Sequence, residues 1–181
     1  ENSKVPLIID ADALNILSKD ISVLENVDCD IVLTPHIGEM SRLTGIDKEL
    51  IVNDKFNVGG IFYKSLKLKQ LTIGDSVTNI GYDAFRDCSN LANVTIGKNV
   101  KTIEECAFSG CSSLTSVEIP NSVTIIGKFA FRDCSNLVNV TISSNVRLID
   151  NYTFENCSSL TSITIPNSVW NIGSYAFNGC S

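Results

Sequence analysis

Cys88, Cys111, Cys134, Cys157 and Cys180 stand 23 residues apart, and the step does not vary. A fixed period of this length marks a coiled repeat array, in which each unit buries its apolar side only against its neighbours. The period outranks any local reading of helix or strand, because it sets the surroundings of every residue within it. It predicts a solenoid of parallel strands, about five coils long, over residues 66–181. Such arrays present surfaces, which points to binding more than to catalysis.

The units are residues 66–88, 89–111, 112–134, 135–157 and 158–180. Each opens on an apolar triplet: Leu91, Val94 and Ile96; Leu114, Val117 and Ile119; Leu137, Val140 and Ile142; Leu160, Ile163 and Ile165. The last two members of each triplet flank one polar residue, the alternation of a half-buried strand. One short strand per coil is therefore predicted. Three residues later stands Ser76, Asn99, Ser122, Asn145 or Ser168, placed to bond freed backbone groups where the chain turns. Val100 and Ile103, with their equivalents, form a second inward pair. Gly81, Gly127 and Gly173 suit a tight corner. Phe85, Phe108, Phe131, Phe154 and Phe177 fill the core. A longer step of 46 residues relates Arg86 to Arg132 and Ile119 to Ile165, as if pairs of coils had been duplicated.

Seven cysteines is an odd number, so internal pairing cannot be complete. Stacked coils would hold neighbouring Cα atoms roughly 5 Å apart with parallel Cβ vectors. That arrangement suits a ladder of buried, reduced thiols better than disulfides. A ladder also strings ligands out where a metal needs them to converge. Neither metal nor cofactor is expected.

Together these units resemble the BspA-like leucine-rich repeats, over about two thirds of the chain. The resemblance implies a surface or secreted protein that adheres or binds, with no catalytic residues. The outward strand positions are the candidate contact face: Asn93, Thr95, Thr115, Ser116, Glu118, Asn139, Thr141, Thr161, Ser162 and Thr164, with Lys69, Gln70 and Thr72 at one end. The expected partner is a protein or glycan. The face lacks the Trp, Tyr and Arg that concentrate binding energy in protein interfaces. Asn93-Val-Thr95 and Asn139-Val-Thr141 match the glycosylation sequon, but the repeat itself accounts for them.

Charge narrows the partners. The net charge is −6, of which residues 1–64 carry −5 and residues 65–181 only −1. Nucleic acid is excluded, since phosphate binding needs clustered Lys and Arg. No apolar run approaches the roughly 20 residues of a membrane span, so membrane insertion is not expected.

Residues 1–60 follow another pattern and form a separate unit from 61–181. Pro6-Leu-Ile-Ile-Asp10 and Asp30-Ile-Val-Leu-Thr34 suit buried strands. Asp12 is placed to cap a helix from Ala13, and a second helix starts near Glu39. The order is β-α-β-α, an α/β segment with polar residues at the strand ends where open parallel sheets hold ligands. Ile9–Leu17 and Leu33–Gly45 resemble the ADP- or ATP-dependent NAD(P)H-hydrate dehydratases of ribokinase-like fold. Ile37 replaces the second proline of that family's T-P-H-P-G-E motif. The resemblance implies that His36 contacts the hydrated nucleotide, with Asp10, Asp12 and Glu39 on the same rim, and implies a cytoplasmic location. The plainer reading of His36 is an inherited or turn-capping histidine. The family's G-x-G-D segment, which supplies acid–base and phosphate contacts, has no match in this sequence. No catalytic residue is therefore assigned. The alternative function is a dehydratase fragment fused to repeats and inactive alone.

The junction fits an engineered or recombined chimera, a natural fusion or a mis-joined frame. Because solenoids need covered ends, residues 1–60 are expected to cap the first coil.

Overall fold

Strand–turn–strand is the unit of this chain. The computed structural model describes residues 62–66, 68–75 and 77–181, together with the backbone of residues 7–9 and 31–33. Strands are numbered along the chain: β1 (Leu7–Ile9), β2 (Ile31–Leu33), β3 (Gln70–Ile73), β4 (Asn79–Ile80), β5 (Asn93–Thr95), β6 (Thr102–Ile103), β7 (Ser116–Glu118), β8 (Ile125–Ile126), β9 (Asn139–Thr141), β10 (Leu148–Ile149) and β11 (Asn171–Ile172). They form two parallel sheets, ordered β1-β2-β3-β5-β7-β9 and β11-β10-β8-β6-β4. Register within the array follows the sequence period: Gln70 faces Asn93, Ser116 faces Asn139, and Ile80 faces Ile103.

The second sheet exceeds the one strand per coil that the sequence predicts. A tight turn creates it. The amides of Val77, Val100, Val123, Val146 and Val169 each donate to the carbonyl three residues back, at 3.0–3.3 Å. Gly74, Gly97, Pro120, Ser143 and Pro166 supply those carbonyls, and these are residue types that favour turns. The chain thus bends off the first sheet and re-enters extended backbone on the second. The fifth coil departs the other way. Thr161–Thr164 form no strand, so that coil joins only the second sheet.

The third side of each coil is a run of turns, of which residues 82–87 are the example. Ala84, Arg86 and Cys88 donate within the coil to Gly81, Asp83 and Phe85. The alternating amides of Asp83, Phe85 and Asp87 donate to Glu105, Ala107 and Ser109 of the next coil. The alternation requires left-handed backbone at two places per coil. Asp83, Cys106, Phe129, Tyr152 and Tyr175 occupy one column, with φ between 54° and 58°. Lys64, Asp87, Gly110, Asp133, Asn156 and Gly179 occupy the other.

Gly81, Gly127 and Gly173 open the turn that leaves the second sheet, as predicted, each accepting from the amide three residues on, but none has positive φ. What Gly127 and Gly173 provide is room. A Cβ would come 2.9 Å from the Glu104 carbonyl carbon at Gly127 and 2.3 Å from the Asn151 nitrogen at Gly173.

Side chains stack in columns beneath this backbone. Phe62, Phe85, Phe108, Phe131, Phe154 and Phe177 form one continuous pile, with ring centroids 5.3–5.5 Å apart. Phe62 lies one period before Phe85 and is as buried as its successors, so the array starts upstream of residue 66. Leu91, Leu114 and Leu137 are fully buried, as are Val100 and Ile103.

The Asn and Ser residues at the turn divide by type. Asn99 and Asn145 donate to the carbonyls of Asp75 and Asn121 in the preceding coil, both at 2.8 Å. The Oγ atoms of Ser122 and Ser168 are buried without a hydrogen-bond partner. The 46-residue step thus appears as alternate bonded and unbonded rungs.

β2 pairs with β3, Ile31 facing Leu71 and Leu33 facing Ile73, so the upstream strands extend the first sheet. The predicted helices of residues 1–60 lie outside the described residues. Truncating Phe131 to Ala removes one ring from the middle of the pile and should destabilise the array by about 3–5 kcal/mol. Thr141→Ala, on the exposed side of β9, should change stability by no more than about 0.5 kcal/mol. Urea melts of both variants check the assigned facing, and equal shifts would contradict it.

Candidate functional site

Pleating sends alternate strand residues outward, and the first sheet therefore carries a polar face. Asn93, Thr95, Thr115, Ser116, Glu118, Asn139, Thr141, Thr161, Ser162 and Thr164 are all exposed, as the sequence predicts. Asn93, Ser116 and Asn139 form one cross-coil row, and Glu118 faces Thr141 in the next. Thr95 and Glu118 also line a small pocket of about 210 Å³ with Val94, Ile96 and Pro120. Thr161, Ser162 and Thr164 lie beyond the last strand of that ladder, which makes the ordered face four coils wide. Lys69 and Gln70 are exposed at its other end, and Thr72 is half-buried. His36, Asp10, Asp12 and Glu39 lie outside the described residues.

The cysteine ladder is the other concentration of reactive groups. Cys88, Cys111, Cys134 and Cys157 are buried free thiols, and Cys180 on the last coil is only half-buried. Each donates its proton to a phenylalanine carbonyl of the preceding coil: Cys88 to Phe62 at 2.8 Å, Cys111 to Phe85 at 3.2 Å, Cys134 to Phe108 at 3.3 Å, Cys157 to Phe131 at 3.2 Å and Cys180 to Phe154 at 3.3 Å. Burial pushes the Cys88 and Cys157 thiols up to about 12, from an ordinary value of 9.0. It raises Cys111 and Cys134 well above the ordinary value. A thiol that keeps its proton is a poor nucleophile and a poor ligand, so the ladder is structural. Among the described residues no cluster of His, Cys, Asp and Glu has the arrangement of a metal site.

Two surfaces were not singled out from the sequence. Phe129, Tyr152 and Tyr175 stack along one edge, with centroids 5.0 and 5.3 Å apart. Thr78, Lys101, Thr124, Arg147 and Trp170 form another column, joined by backbone hydrogen bonds from each coil to the one before. Both columns step by 23 residues, so the period itself contained them. Chemically unlike residues hid them, since Asp83 and Cys106 precede Phe129 in the first column.

These features match known proteins in two separate parts. The family model described as the BspA type leucine rich repeat region matches residues 59–181 in six copies. The model for NAD(P)H-hydrate dehydratase matches residues 1–67. Within that segment the chain is 46% identical over 55 residues to the bifunctional NAD(P)H-hydrate repair enzyme Nnr of Moorella thermoacetica, covering 30% of this chain and 10% of the enzyme. The solenoid is similar to a leucine-rich repeat protein of Eubacterium ventriosum, at 32% identity and a TM-score of 0.62, over 67% of this chain and 33% of that one. It is also similar to the pneumococcal vaccine antigen PcpA, at 30% identity and a TM-score of 0.58, over 63% and 29% of the two chains. The chain thus spans about a tenth of that curated relative's length, and about a third of either solved relative's.

The raised thiols make the array sensitive to alkali. A thiol whose folded-state pKa is raised contributes stability that is complete below the unfolded value, near 9.0, and is lost as pH climbs toward about 12. Stability should therefore fall above about pH 9, each such thiol adding a slope of about 1.4 kcal/mol per pH unit. Cys134→Ala should be less stable at neutral pH yet lose less on going from pH 8.5 to 10.5. Urea melts at the two pH values check this, and parallel losses in parent and variant would contradict it.

Proposed function

Because the chain belongs to the BspA-type leucine-rich repeat family, through residues 59–181, we propose that it acts as a non-enzymatic scaffold that binds a protein or glycan ligand at a cell surface or in the secreted space. The observation that carries this reading is the first sheet. Strands β5, β7 and β9 place a row of exposed Asn and Ser beside exposed Thr and Glu, and β3 adds exposed Gln70, all on a hydrogen-bonded sheet with apolar residues turned inward. Rigidly held groups lose little freedom on binding. The description of the pneumococcal neighbour as a vaccine antigen supports a location outside the cell. The test is retention of protein-coated beads on arrays of extracellular-matrix proteins and glycans. Retention on a defined ligand, lost with Thr95→Arg plus Thr141→Arg and kept with Lys128→Ala, is expected. Retention unaffected by the arginine pair would move the contact off this face.

A second reading rests on residues 1–67, which resemble the dehydratase. We read them as an incomplete remnant. They carry the His36 motif, but the sequence has no G-x-G-D segment for phosphate binding and acid–base work. General acid–base catalysis alone contributes on the order of 10²–10⁴ in rate. The chain should therefore restore no reduced cofactor from its hydrate with ADP or ATP. Restoration that His36→Ala abolishes would promote the enzyme reading. The pairing of β2 with β3 supports a structural use for this segment, as a cover for the first coil. Deleting residues 1–60 should then lower the melting temperature, and an unchanged melt would make the segment a passenger.

A further inference from the structure

We propose that the corner leading into the second sheet is a binding groove for an acidic polysaccharide. It goes beyond the strand-face reading, because it uses a different surface and stands or falls separately. The groove encloses about 650 Å³, and Lys101, Thr124, Arg147 and Trp170 lie along it. That volume falls within the usual range for ligand sites. Asn121 and Asn145 line its wall, and the Asn145 amide is held by the Asn121 carbonyl at 2.8 Å. No carboxylate is among the lining residues, in a chain whose net charge is −6.

The two cations set the ligand's charge. Elsewhere in the array Lys98 is held by Asp75 at 2.9 Å, Arg86 by Asp83 at 3.3 Å and Arg132 by Glu155 at 2.9 Å. Lys64 and Lys128 lie over the rings of Tyr63 and Phe129. Among the described residues, Lys101 and Arg147 have neither kind of partner, and both are exposed. They are free to meet an anion from solution.

Their spacing sets the ligand's form. Lys101 bonds through its backbone to Thr78, Thr124 to Lys101, Arg147 to Thr124 and Trp170 to Arg147, so the column climbs one coil per step. Adjacent strands are about 4.8 Å apart, which puts the backbones of Lys101 and Arg147 about 10 Å apart along the solenoid axis, a span their side chains can match. A sugar ring advances a polysaccharide by about one such step. Acidic groups on every second ring would therefore meet Lys101 and Arg147 in turn. Trp170, one coil further, is 74% exposed and offers an apolar surface to the C–H groups of the next ring. The exposed side chains of Asn121, Ser144 and Asn145 on the wall are suited to hydroxyls. A small anion would use one cation and leave the tryptophan idle, and a neutral glycan would leave both charges unused.

Trp170 is the only tryptophan of the chain, so its fluorescence reports the groove directly. The 181-residue protein would be titrated with heparin, polygalacturonate, neutral dextran and polyglutamate. Saturable change with heparin, polygalacturonate or both is expected, and the two distinguish a sulfated from a carboxylated source. Lys101→Ala with Arg147→Ala should weaken binding at least about tenfold. Arg147→Lys should retain most of it, and Lys128→Ala all of it. Raising the salt concentration should weaken the parent more than the double variant. Absence of response to both acidic polysaccharides would overturn the proposal. So would an equal response to dextran or polyglutamate, or a double variant that binds as the parent does while melting at the same temperature.

Discussion

The amides of Phe85, Phe108, Phe131 and Phe154 each donate to a carbonyl of the following coil, and all four bonds measure 2.8 Å. The rest of the array depends on this ladder. It fixes the coil spacing at which the phenylalanine rings can stack and the thiols can reach the carbonyls behind them. It also requires the unusual backbone. Alternate amides can point to the next coil only if two residues per coil take left-handed φ, even where they are Phe or Tyr. Left-handed backbone costs a non-glycine residue about 1–2 kcal/mol. At every such non-glycine site except Tyr175, on the last coil, an inter-coil bond helps to offset it, as in the Phe129 amide on the Asn151 carbonyl.

What could be read from the sequence was whatever repeats as chemistry. The Leu, Ile, Phe and Cys columns carry the same residue types coil after coil, and their burial follows from the period. The exposed strand face follows as well, since a residue between two inward neighbours has to point out. What repeats only as backbone conformation was hidden. Asp83, Cys106, Phe129, Tyr152 and Tyr175 share φ within a few degrees, yet the column runs from an acid through a thiol to three aromatic rings. The second sheet was hidden for a related reason: two-residue strands such as β6 and β8 are too short to show an alternation. Gly127 and Gly173 stand at a corner, as the sequence suggested, but what demands glycine there is close approach between coils and not positive φ.

The same distinction bears on function. The polar face of the first sheet was legible because strand alternation defines it. The groove of Lys101, Arg147 and Trp170 was not, because its column changes identity at every coil and gains its character only when the coils are stacked. In a solenoid a binding surface can change residue by residue without disturbing the core, since outward side chains take no part in the core's packing. Variation along an outward column is thus where specificity can accumulate, while the inward columns stay fixed.

Amide hydrogen exchange tests the dependence on the inter-coil ladder most directly. If neighbouring coils must separate before these bonds open, the amides of Phe108 and Phe131 should exchange slowly and at one common rate. Thr161–Thr164, which lie outside the strand ladder, should exchange much faster. Exchange at Phe108 and Phe131 as fast as at Thr161–Thr164 would contradict the account, because the coils would then be held by side-chain packing without the ladder.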